Sequence, residues 1–466
     1  MSLFPPIRTL NQRMLAGSLS SEQLTRQCLD RIGEVNEQLR AVLAVDPTAL
    51  EQARAADQRF RSGADRGLLD GIPVLIKDNI DTAGLATTCG SRLLTGPAPS
   101  RDAAVVGRLR AAGAVILGKT NLTEWANFRS TKSTEGWSGV GGQTRNPHLL
   151  AHSPGGSSSG SAVAVAVGMA PLALGTDTDG SVVGPAGLCG VVGIKPEPSL
   201  LPLDGVCAVS DQQDAIGVFA ARIEDGLAAI HELTGAFADP MSLPDGPDLR
   251  LGIWHIPRSP GPVREALRLV TAALSEAGLV TVPVELPFEE QLLADGMFAL
   301  TAGFRPMLES YLATRVGAPA TLDELIEANQ DDPVELSLFG QDLFEQAALI
   351  GSGERAEALL LRDRVRREAV ERIETVLFRY GIDAILAPSN EPAWQLDYEL
   401  GDPWPLSSSS PSSLARFPNL SLPITEPGDL PIGLSVFGAA TLRELAPIAL
   451  RVEAACSSAP LYPAWR

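Results

Sequence analysis

Histidine is scarce in this chain, and its cysteines are scattered. Four of the 466 residues are histidine and five are cysteine, and no two cysteines form a CxxC pair. Zinc sites and disulfide frameworks need such residues at close and regular spacing. We therefore expect no metal site, no other cofactor and no disulfide framework. A reducing, cytoplasmic location fits this cysteine usage best.

Excess positive charge and long apolar runs are also absent. The chain has 37 basic and 56 acidic residues, which gives a formal net charge of −19. This charge argues against a nucleic-acid partner, because phosphates bind to a basic face. The longest apolar run, residues 162–174, is interrupted by Gly168 and Pro171 and is too short to span a bilayer. The composition predicts a soluble globular protein with a sizeable core and no membrane partner.

Helical and apolar-strand patterns alternate along the chain, which is typical of an α/β fold. The predicted helices cover residues 20–62, 102–112, 263–277 and 441–456, and most of 286–380. The predicted buried strands cover residues 72–76, 114–117, 249–254, 278–283, 382–388 and 419–423. Apart from the serine-rich stretch 407–413 no linker divides the sequence, so one large domain is the simplest interpretation.

Two short motifs suggest chemistry that their sequence context argues against. Residues 113–120, GAVILGKT, match the phosphate-binding pattern GxxxxGK[ST], but the four central residues are themselves the predicted strand. Residues 156–160 match the GxSxG nucleophile elbow, which needs an apolar strand in front of it. The preceding residues 150–154 are instead polar and end in Pro154. Neither nucleotide binding nor an α/β-hydrolase triad is expected here, and His152 fits a turn-capping role better than that of a base.

Two loops of small residues carry the strongest chemical signal. They are residues 155–160, GGSSSG, and residues 175–181, GTDTDGS. Glycine lets backbone N–H groups approach a reacting atom closely, so two such loops form a cradle for an oxyanion, with serines at its rim. Lys77 ends the apolar run 72–76, and partial burial there would lower its pKa and make it a base near neutral pH. The alternative is two ordinary turns around a core helix and a lysine that reaches the surface.

Five segments of the chain resemble the amidase signature family and occur in the family's order. They are GIPVLIKDNI (71–80), GKTNLTEWANF (118–128), GGQTRNP (141–147), SPGGSSSGSA (153–162) and GTDTDGSVVGPA (175–186). Further segments, FGQDLFEQA (339–347) and APSNEPAWQLD (387–397) among them, resemble the bacterial peptide amidases of that family. Fatty acid amide hydrolase and the A subunit of the tRNA-dependent amidotransferase are more distant in this respect.

The resemblance implies an α/β amidase-signature fold. This is a single large domain, residues 1–466, with a central mixed β-sheet covered by helices on both faces. The catalytic core is expected at 61–220 and a helical, substrate-side region at 286–380. Core strands and the last helix are expected to return at 381–466.

The same resemblance implies a Ser-Ser-Lys triad and the residues around it. Ser181 is implied as the nucleophile, Lys77 as the base, and Ser157 as a bridging serine that follows a cis peptide bond. The other implied residues are the oxyanion-hole amides of Thr178, Asp179, Gly180 and Ser181, the supporting residues Ser158 and Asp177, and the acyl-pocket residues Ala126, Asn127 and Phe128.

The implied activity is hydrolysis of a carboxamide or a peptide C-terminal amide through an acyl-serine, by a monomer or homodimer. Two alternatives share that intermediate: a biosynthetic acyltransferase with an amine acceptor, and a partner-dependent amidotransferase A-type subunit. Substrate choice stays open, because Val183 and residues 197–212 depart from the family's pattern, with Gln212 replacing a serine. Pocket residues are expected from 286–360 and 387–413, where Trp394 and Trp404 are candidates for an apolar wall or for simple packing.

Overall fold

The computed structural model describes residues 4–235, 249–403, 406–424 and 430–456, so Trp404 lies outside the described residues. Its helices are α1 (Ile7–Leu15), α2 (Ser21–Leu39), α3 (Ala49–Ser62), α4 (Ala104–Ala111), α5 (Glu124–Asn127), α6 (Ser159–Ala166), α7 (Val183–Cys189), α8 (Ile223–Thr234), α9 (Gly261–Glu276), α10 (Glu290–Leu312), α11 (Leu322–Asp331), α12 (Asp342–Leu349), α13 (Ser352–Tyr380), α14 (Ser409–Ala415) and α15 (Leu442–Cys456). Its strands are β1 (Val42–Val45), β2 (Pro73–Lys77), β3 (Val115–Thr120), β4 (Trp137–Ser138), β5 (Gly142–Gln143), β6 (Leu172–Asp177), β7 (Val192–Lys195), β8 (Ala215–Ala220), β9 (Arg250–Trp254), β10 (Val280–Val284), β11 (Ala384–Pro388), β12 (Asn419–Pro423) and β13 (Gly433–Phe437).

Eleven of these strands form one mixed sheet in the order β1–β3–β2–β6–β8–β7–β12–β13–β11–β9–β10. The pairs within β3–β2–β6 and within β11–β9–β10 are parallel, and the remaining pairs are antiparallel. Strands β2, β3, β6, β7 and β8 are buried at every residue. Since successive side chains point to opposite faces, both faces of the sheet are covered there. The predicted single α/β domain with a central mixed sheet is confirmed.

The predicted helix over residues 20–62 is wrong in its middle. Ser20 and Gln23 form a reciprocal cap that begins α2, as the serine pattern indicated. The helix ends at Arg40, whose φ is 51°, because the Asn36 side chain accepts hydrogen bonds from the Ala41 and Val42 N–H groups. This turn releases the chain into β1, which pairs with β3.

The other predicted elements are largely confirmed, and several elements were not predicted. Helices α4, α9 and α15 and the helical region α10–α13 lie where their periodicity indicated. Strands β1, β6, β7, β8 and β13 and helix α8 were among the elements missed. Helices α10–α12 pack their apolar residues against the loops around residues 89–94, 125–128 and 207–209. Among the described residues no helix combines the length and the apolar composition needed to cross a membrane.

We expect Gly160→Ala to destabilise the fold. A Cβ at Gly160, in α6, would collide with the backbone of Ala41 and would lie 2.6 Å from the Asn121 backbone N and O atoms. Overpacking against rigid backbone costs about 2 kcal/mol or more. Gly107→Ala in α4 is the matched control, because open space surrounds that position and alanine favours a helix. Thermal unfolding of both variants checks this; equal melting temperatures would contradict the packing described for α6.

Candidate active site

Lys77 is buried at the C-terminal end of β2, with 0% of its surface exposed. Its Nζ lies 2.8 Å from the Ser157 Oγ and 2.8 Å from the Thr176 Oγ1, and 3.3 Å from the Thr176 carbonyl oxygen. The direct partners of this amine are therefore hydroxyl and carbonyl groups. Burial lowers the pKa of Lys77 to about 7, although the negative charges of Asp177 and Asp214 oppose that shift. A substantial fraction of the amine is neutral at physiological pH.

Ser157 stands in the first small-residue loop, just before α6. The Gly156–Ser157 peptide bond is cis. The Ser157 carbonyl oxygen accepts a hydrogen bond from the Thr123 N–H at 3.0 Å. A Cβ at Gly156 would collide with the Thr123 hydroxyl, which explains why glycine stands there. These contacts fix the backbone that presents the Ser157 hydroxyl to Lys77.

The predicted second small-residue loop, residues 175–181, is wrong in its first part, because residues 175–177 end strand β6. The remaining residues 178–181 form a turn that is held by Asp177. The Asp177 carboxylate accepts hydrogen bonds from the Gly180 N–H at 2.9 Å and from the Val182 N–H at 2.6 Å. Gly180 has a φ of 90°, a conformation that favours glycine. The resulting turn leads into α7 and carries Ser181, which is half-buried.

Ser158 joins the two loops. Its hydroxyl donates to the Thr176 carbonyl oxygen at 3.0 Å and accepts from the Thr176 N–H at 3.2 Å. Its backbone N–H donates to the Ser181 carbonyl oxygen at 3.2 Å. Lys77, Ser157 and the Ser181 turn are thus brought together around Thr176.

The geometry differs from the expected site in two respects: one expected hydrogen bond is not made, and one expected oxyanion donor is already occupied. In the described part of the chain the Ser181 hydroxyl has no hydrogen-bond partner, so no direct bond joins it to Ser157. The Gly180 N–H, one of the four expected oxyanion donors, is engaged by Asp177. The N–H groups of Thr178, Asp179 and Ser181 make no hydrogen bond within the described residues. Catalytic hydrogen bonds are often long in unliganded enzymes and tighten when substrate binds.

The expected pocket residues lie at the boundary between the catalytic loops and α10. Ala126 and Asn127 have left-handed backbones, with φ of 55° and 67°. The Asn127 side chain accepts a hydrogen bond from the Ser133 hydroxyl at 2.6 Å. Phe128 is buried, with its ring centroid 4.6 Å from that of Phe304. The Trp394 carbonyl oxygen accepts from the Ser153 N–H at 2.9 Å, so the 387–413 segment contacts the chain two residues before the first small-residue loop.

Sequence reasoning did not single out three residues of the site as functional: Asn79, Thr176 and Asp214. Thr176 bridges Lys77 and the Asn79 side chain, which lies 3.0 Å from the threonine hydroxyl. Asp214 is buried and accepts hydrogen bonds from the Thr178 hydroxyl at 2.6 Å and the Val209 N–H at 2.8 Å. Burial raises the pKa of Asp214 to about 6. Of these three residues, only Asn79 had a signal in the sequence, which was its position two residues after Lys77 at the end of the apolar run.

Lys119, the lysine of the apparent phosphate-binding motif, has a structural role. Residues 115–120 are strand β3, as expected from their apolar centre. The Lys119 Nζ lies 3.2 Å from the Asp78 carboxylate, 2.7 Å from the Ile80 carbonyl oxygen and 2.9 Å from the Thr87 hydroxyl. This buried lysine is fully occupied by protein groups. Within the described residues no group of three or more His, Cys, Asp or Glu side chains has the arrangement of a metal site.

Comparison with known proteins identifies the family. The family model described as Amidase matches residues 23–443. The chain belongs to the amidase family. This amidase is 32% identical over 460 residues to the A subunit of the glutamyl-tRNA(Gln) amidotransferase of Synechococcus sp. (strain JA-2-3B'a(2-13)), covering 93% of this chain and 88% of the relative.

Solved peptide amidase structures are also similar to this amidase. A peptide amidase in complex with the competitive inhibitor chymostatin has 39% identity and a TM-score of 0.92. The native peptide amidase from Stenotrophomonas maltophilia has 37% identity and a TM-score of 0.90. Each comparison covers 99% of both chains. The resemblance found in the sequence is confirmed, and this amidase is an enzyme of amide C–N bonds, a hydrolase or an amidotransferase.

We expect Lys77→Met to stabilise the fold, with a gain that shrinks as pH rises. Folding lowers the pKa of Lys77 from 10.5 to about 7, so between these values the unfolded chain binds a proton that the folded chain does not. Stability of the parent therefore rises with pH through this range. The free-energy cost of burying the charged Lys77 is fully present below about pH 7 and is absent above pH 10.5. Melting temperatures of parent and variant at about pH 6, 8 and 10 measure the gain.

Lys119→Met is the matched control for this measurement. Lys119 is equally buried, but its loss leaves the Asp78 carboxylate without its cation. Removing one partner of a buried ion pair is strongly destabilising, so this variant is expected to melt below the parent. A Lys77→Met protein that also melts below the parent at every pH would contradict the account of Lys77.

Proposed function

We propose that this amidase hydrolyses a carboxamide, such as the C-terminal amide of a peptide, through an acyl-serine intermediate. The observation that carries the proposal is the 2.8 Å contact between the buried Lys77 amine and the Ser157 hydroxyl. A lysine with a pKa of about 7 can accept a proton at neutral pH. Similarity to peptide amidases over 99% of the chain supports peptide amides as the substrate class.

In the first step Ser181 attacks the amide carbonyl. Its hydroxyl proton passes to Ser157, whose own proton passes to the neutral Lys77. A tetrahedral intermediate forms, and its oxyanion accepts hydrogen bonds from backbone N–H groups of the 178–181 turn. Because Asp177 engages the Gly180 N–H, we assign these bonds chiefly to the Thr178, Asp179 and Ser181 amides.

In the second step the C–N bond breaks. Ser157 gives a proton to the leaving nitrogen and recovers one from Lys77, and the amine or ammonia leaves an ester on Ser181. Water then attacks this ester through the same relay, which releases the carboxylic acid and restores the Ser181 hydroxyl. Each cycle therefore consumes one water and leaves the three side chains as they began.

The surrounding residues have supporting roles in this proposal. Asp177 and Ser158 hold the two loops at their separation. Ala126, Asn127 and Phe128 line the acyl pocket, and the packing of Phe128 against Phe304 of α10 supports a substrate-side role for residues 286–380. The five cysteines are free, which supports the reducing, cytoplasmic location expected from their spacing.

A second candidate function is that of one subunit in a partner-dependent amidotransferase. It is favoured by the similarity to the A subunits of amidotransferases over 93% of the chain. The acyl-serine chemistry would be the same, but the nitrogen released from the amide would go to an acceptor on a partner. A biosynthetic acyltransferase would likewise pass the acyl group to an amine. If the isolated chain transfers the acyl group to water, it is a hydrolase and neither of these two alternatives applies.

We expect Ser181→Ala to abolish hydrolysis of peptide amides by the purified single chain, with a loss of at least about 10³-fold in kcat. The assay measures free acid and ammonia, with and without an added amine. Ser161→Ala is the matched control, because Ser161 lies in α6 and its buried hydroxyl bonds to the Leu174 carbonyl oxygen of β6 and to the Thr120 hydroxyl of β3, with no hydrogen bond to Lys77, Ser157 or Ser181 in the described structure. This control is expected to keep kcat within about twofold.

Normal turnover by Ser181→Ala would refute the acyl-serine scheme. An active parent that makes the amine adduct in preference to the acid would favour the acyltransferase. A parent that is inactive alone and active with an amidotransferase partner would favour the partner-dependent role.

We expect kcat/KM to rise with pH and to level off above the pKa of Lys77. That pKa is about 7, so the rise approaches about tenfold per unit on the acid side. Asp214 titrates nearby, with a pKa of about 6. Its carboxylate raises the pKa of Lys77, so Asp214→Asn is expected to move the rise to lower pH without removing it. A flat profile up to about pH 9 would contradict the role of Lys77 as base.

A further inference from the structure

Three consecutive residues at the expected acyl pocket share an unusual backbone conformation. Trp125, Ala126 and Asn127 have φ of 52°, 55° and 67°, in the left-handed region that residues with a Cβ rarely adopt. We call residues 125–127 the left-handed turn. Such conformations cost free energy and persist only where the surrounding structure holds them in place, often at ligand-binding sites. The contacts that hold this turn are therefore of functional interest.

The left-handed turn lies next to the catalytic loops. On its N-terminal side, the Thr123 N–H donates to the Ser157 carbonyl oxygen at 3.0 Å. On its C-terminal side, the Phe128 ring packs against Phe304 of α10, with the ring centroids 4.6 Å apart. The turn therefore connects the backbone of the proposed relay serine to the substrate-side helix α10.

A buried ionic cluster spans the left-handed turn. Glu124 precedes the turn, Arg129 follows it, and Glu335 lies in the connection between α11 and α12. The Arg129 guanidinium lies 3.1 Å from the Glu124 carboxyl group and 3.2 Å from the Glu335 carboxylate, and it also donates to the Glu335 carbonyl oxygen. Each of the three side chains is at most 3% exposed. Arg129 thus fastens both ends of the turn to one residue of the region 286–380.

The charges of this cluster balance. Burial raises the pKa of the Glu124 carboxyl group well above its ordinary value of 4.5; the charge of Arg129 opposes the shift and that of Glu335 adds to it. Glu124 therefore holds its proton, and Arg129 and Glu335 form the ion pair. Without Glu335, the adjacent Glu124 can ionise in its place. A Glu335 variant thus keeps a counter-ion for the buried guanidinium.

Glu335 also holds a second loop of the catalytic core. Its carboxylate accepts hydrogen bonds from the Arg92 N–H at 2.6 Å and from the Ser91 hydroxyl at 3.3 Å. A buried ion pair adds little stability compared with apolar side chains of the same volume, so its fixed geometry is the feature that distinguishes it. The geometry that Glu335 fixes is that of residues 91–92 and of the left-handed turn.

We propose that Glu335, acting through Arg129, is a positioning residue that holds the left-handed turn and so determines how well a bulky acyl group fits the pocket. This inference rests on the proposed amide hydrolysis and specifies which part of that site selects the substrate. Without Glu335 the turn relaxes towards ordinary backbone angles, and the pocket side chains move with it. The turn that carries the nucleophile is held separately, by Asp177.

Two amides test this role: acetyl-Phe-amide, whose acyl side chain is large, and acetyl-Ala-amide. Glu335→Ala is expected to raise KM for acetyl-Phe-amide about fivefold more than KM for acetyl-Ala-amide, because pocket binding common to the ground state and the transition state is lost. No such difference is expected in kcat. A loss of folded protein alone would lower kcat for both amides by the same factor and leave the ratio of the two KM values unchanged.

Two further variants of Glu335 sharpen the comparison. Glu335→Gln keeps the side-chain length and an acceptor oxygen for Arg129 and the Arg92 N–H, so it is expected to restore most of the parent's KM ratio. Glu335→Asp keeps the charge but shortens the side chain, and is expected to shift the ratio in the same direction as Glu335→Ala by a smaller factor. It carries the test if Glu335→Ala does not fold.

Asp332→Asn is the matched control. Asp332 lies in the same connection as Glu335 and pairs with the Arg92 side chain at 3.1 Å. Asparagine keeps the oxygen that accepts from the Val334 N–H. This variant removes an ion pair of the connection without removing a partner of Arg129, so it is expected to keep the parent's KM ratio.

Binding of both amides to Ser181→Ala, measured by calorimetry, separates this inference from the proposed function. A larger loss of affinity for acetyl-Phe-amide than for acetyl-Ala-amide on adding Glu335→Ala supports the positioning role, whether or not the parent hydrolyses either amide. An unchanged ratio of the two dissociation constants overturns it, as does an unchanged KM ratio in a folded Glu335 variant of an active parent. Selective loss of binding in a protein that hydrolyses neither amide would leave the positioning role in place and count against amide hydrolysis.

Discussion

The burial of one lysine amine against a serine hydroxyl is the interaction on which the site depends. Strand β2 carries Lys77 into the interior, and both small-residue loops close around its Nζ through Ser157 and Thr176. Desolvation disfavours the ammonium form, and this cost is what makes the amine available as a base. In the proposed mechanism, the free-energy cost of burying Lys77 is what makes this residue a base, a trade of stability for activity that is common at active sites.

The other buried lysines show why Lys77 is suited to this role. The chain has four lysines, and Lys77, Lys119 and Lys195 are fully buried. Burial lowers the pKa of Lys119 as well, but Lys119 faces the Asp78 carboxylate directly, and that negative charge opposes the shift. Lys195 donates to the Phe417 carbonyl oxygen. Lys77 alone among the three contacts a serine hydroxyl in the described structure, which is the contact that the proposed proton relay requires.

Local sequence predicted the parts of the molecule that local physics determines. The apolar run before Lys77 indicated a buried strand with a lysine at its end, and the glycine-rich loops indicated a close approach of backbone to a reacting group. The strand predicted inside GAVILGKT is confirmed as β3. These features each depend on residues that are neighbours in the chain.

The remaining features depend on residues that are distant in the chain. Thr176 contacts Lys77 across 99 positions, and residues 175–177 were interpreted as loop although they continue strand β6, so no pattern indicated such a contact. Strand β1 was missed because the Asn36 side chain, which turns the chain out of α2, resembles any polar residue of an exposed helix face. The charged run of α13 was interpreted as a solvated face, and Asp363, Arg364, Arg366 and Arg367 are indeed exposed. The surface contact of Arg362 with Asp211, 151 positions away, had no signal in the local sequence. Family resemblance supplied the proposed roles of Ser157 and Ser181, which spacing alone left open.

The central claim is that Lys77 is neutral near physiological pH, and NMR titration of the lysine side chains tests it directly. With four lysines in the chain, each Cε resonance can be followed separately and assigned by substitution. The account predicts one resonance that titrates with a pKa of about 7 and is missing from the Lys77→Met spectrum. A Lys77 resonance that titrates at its ordinary value of 10.5 would contradict it.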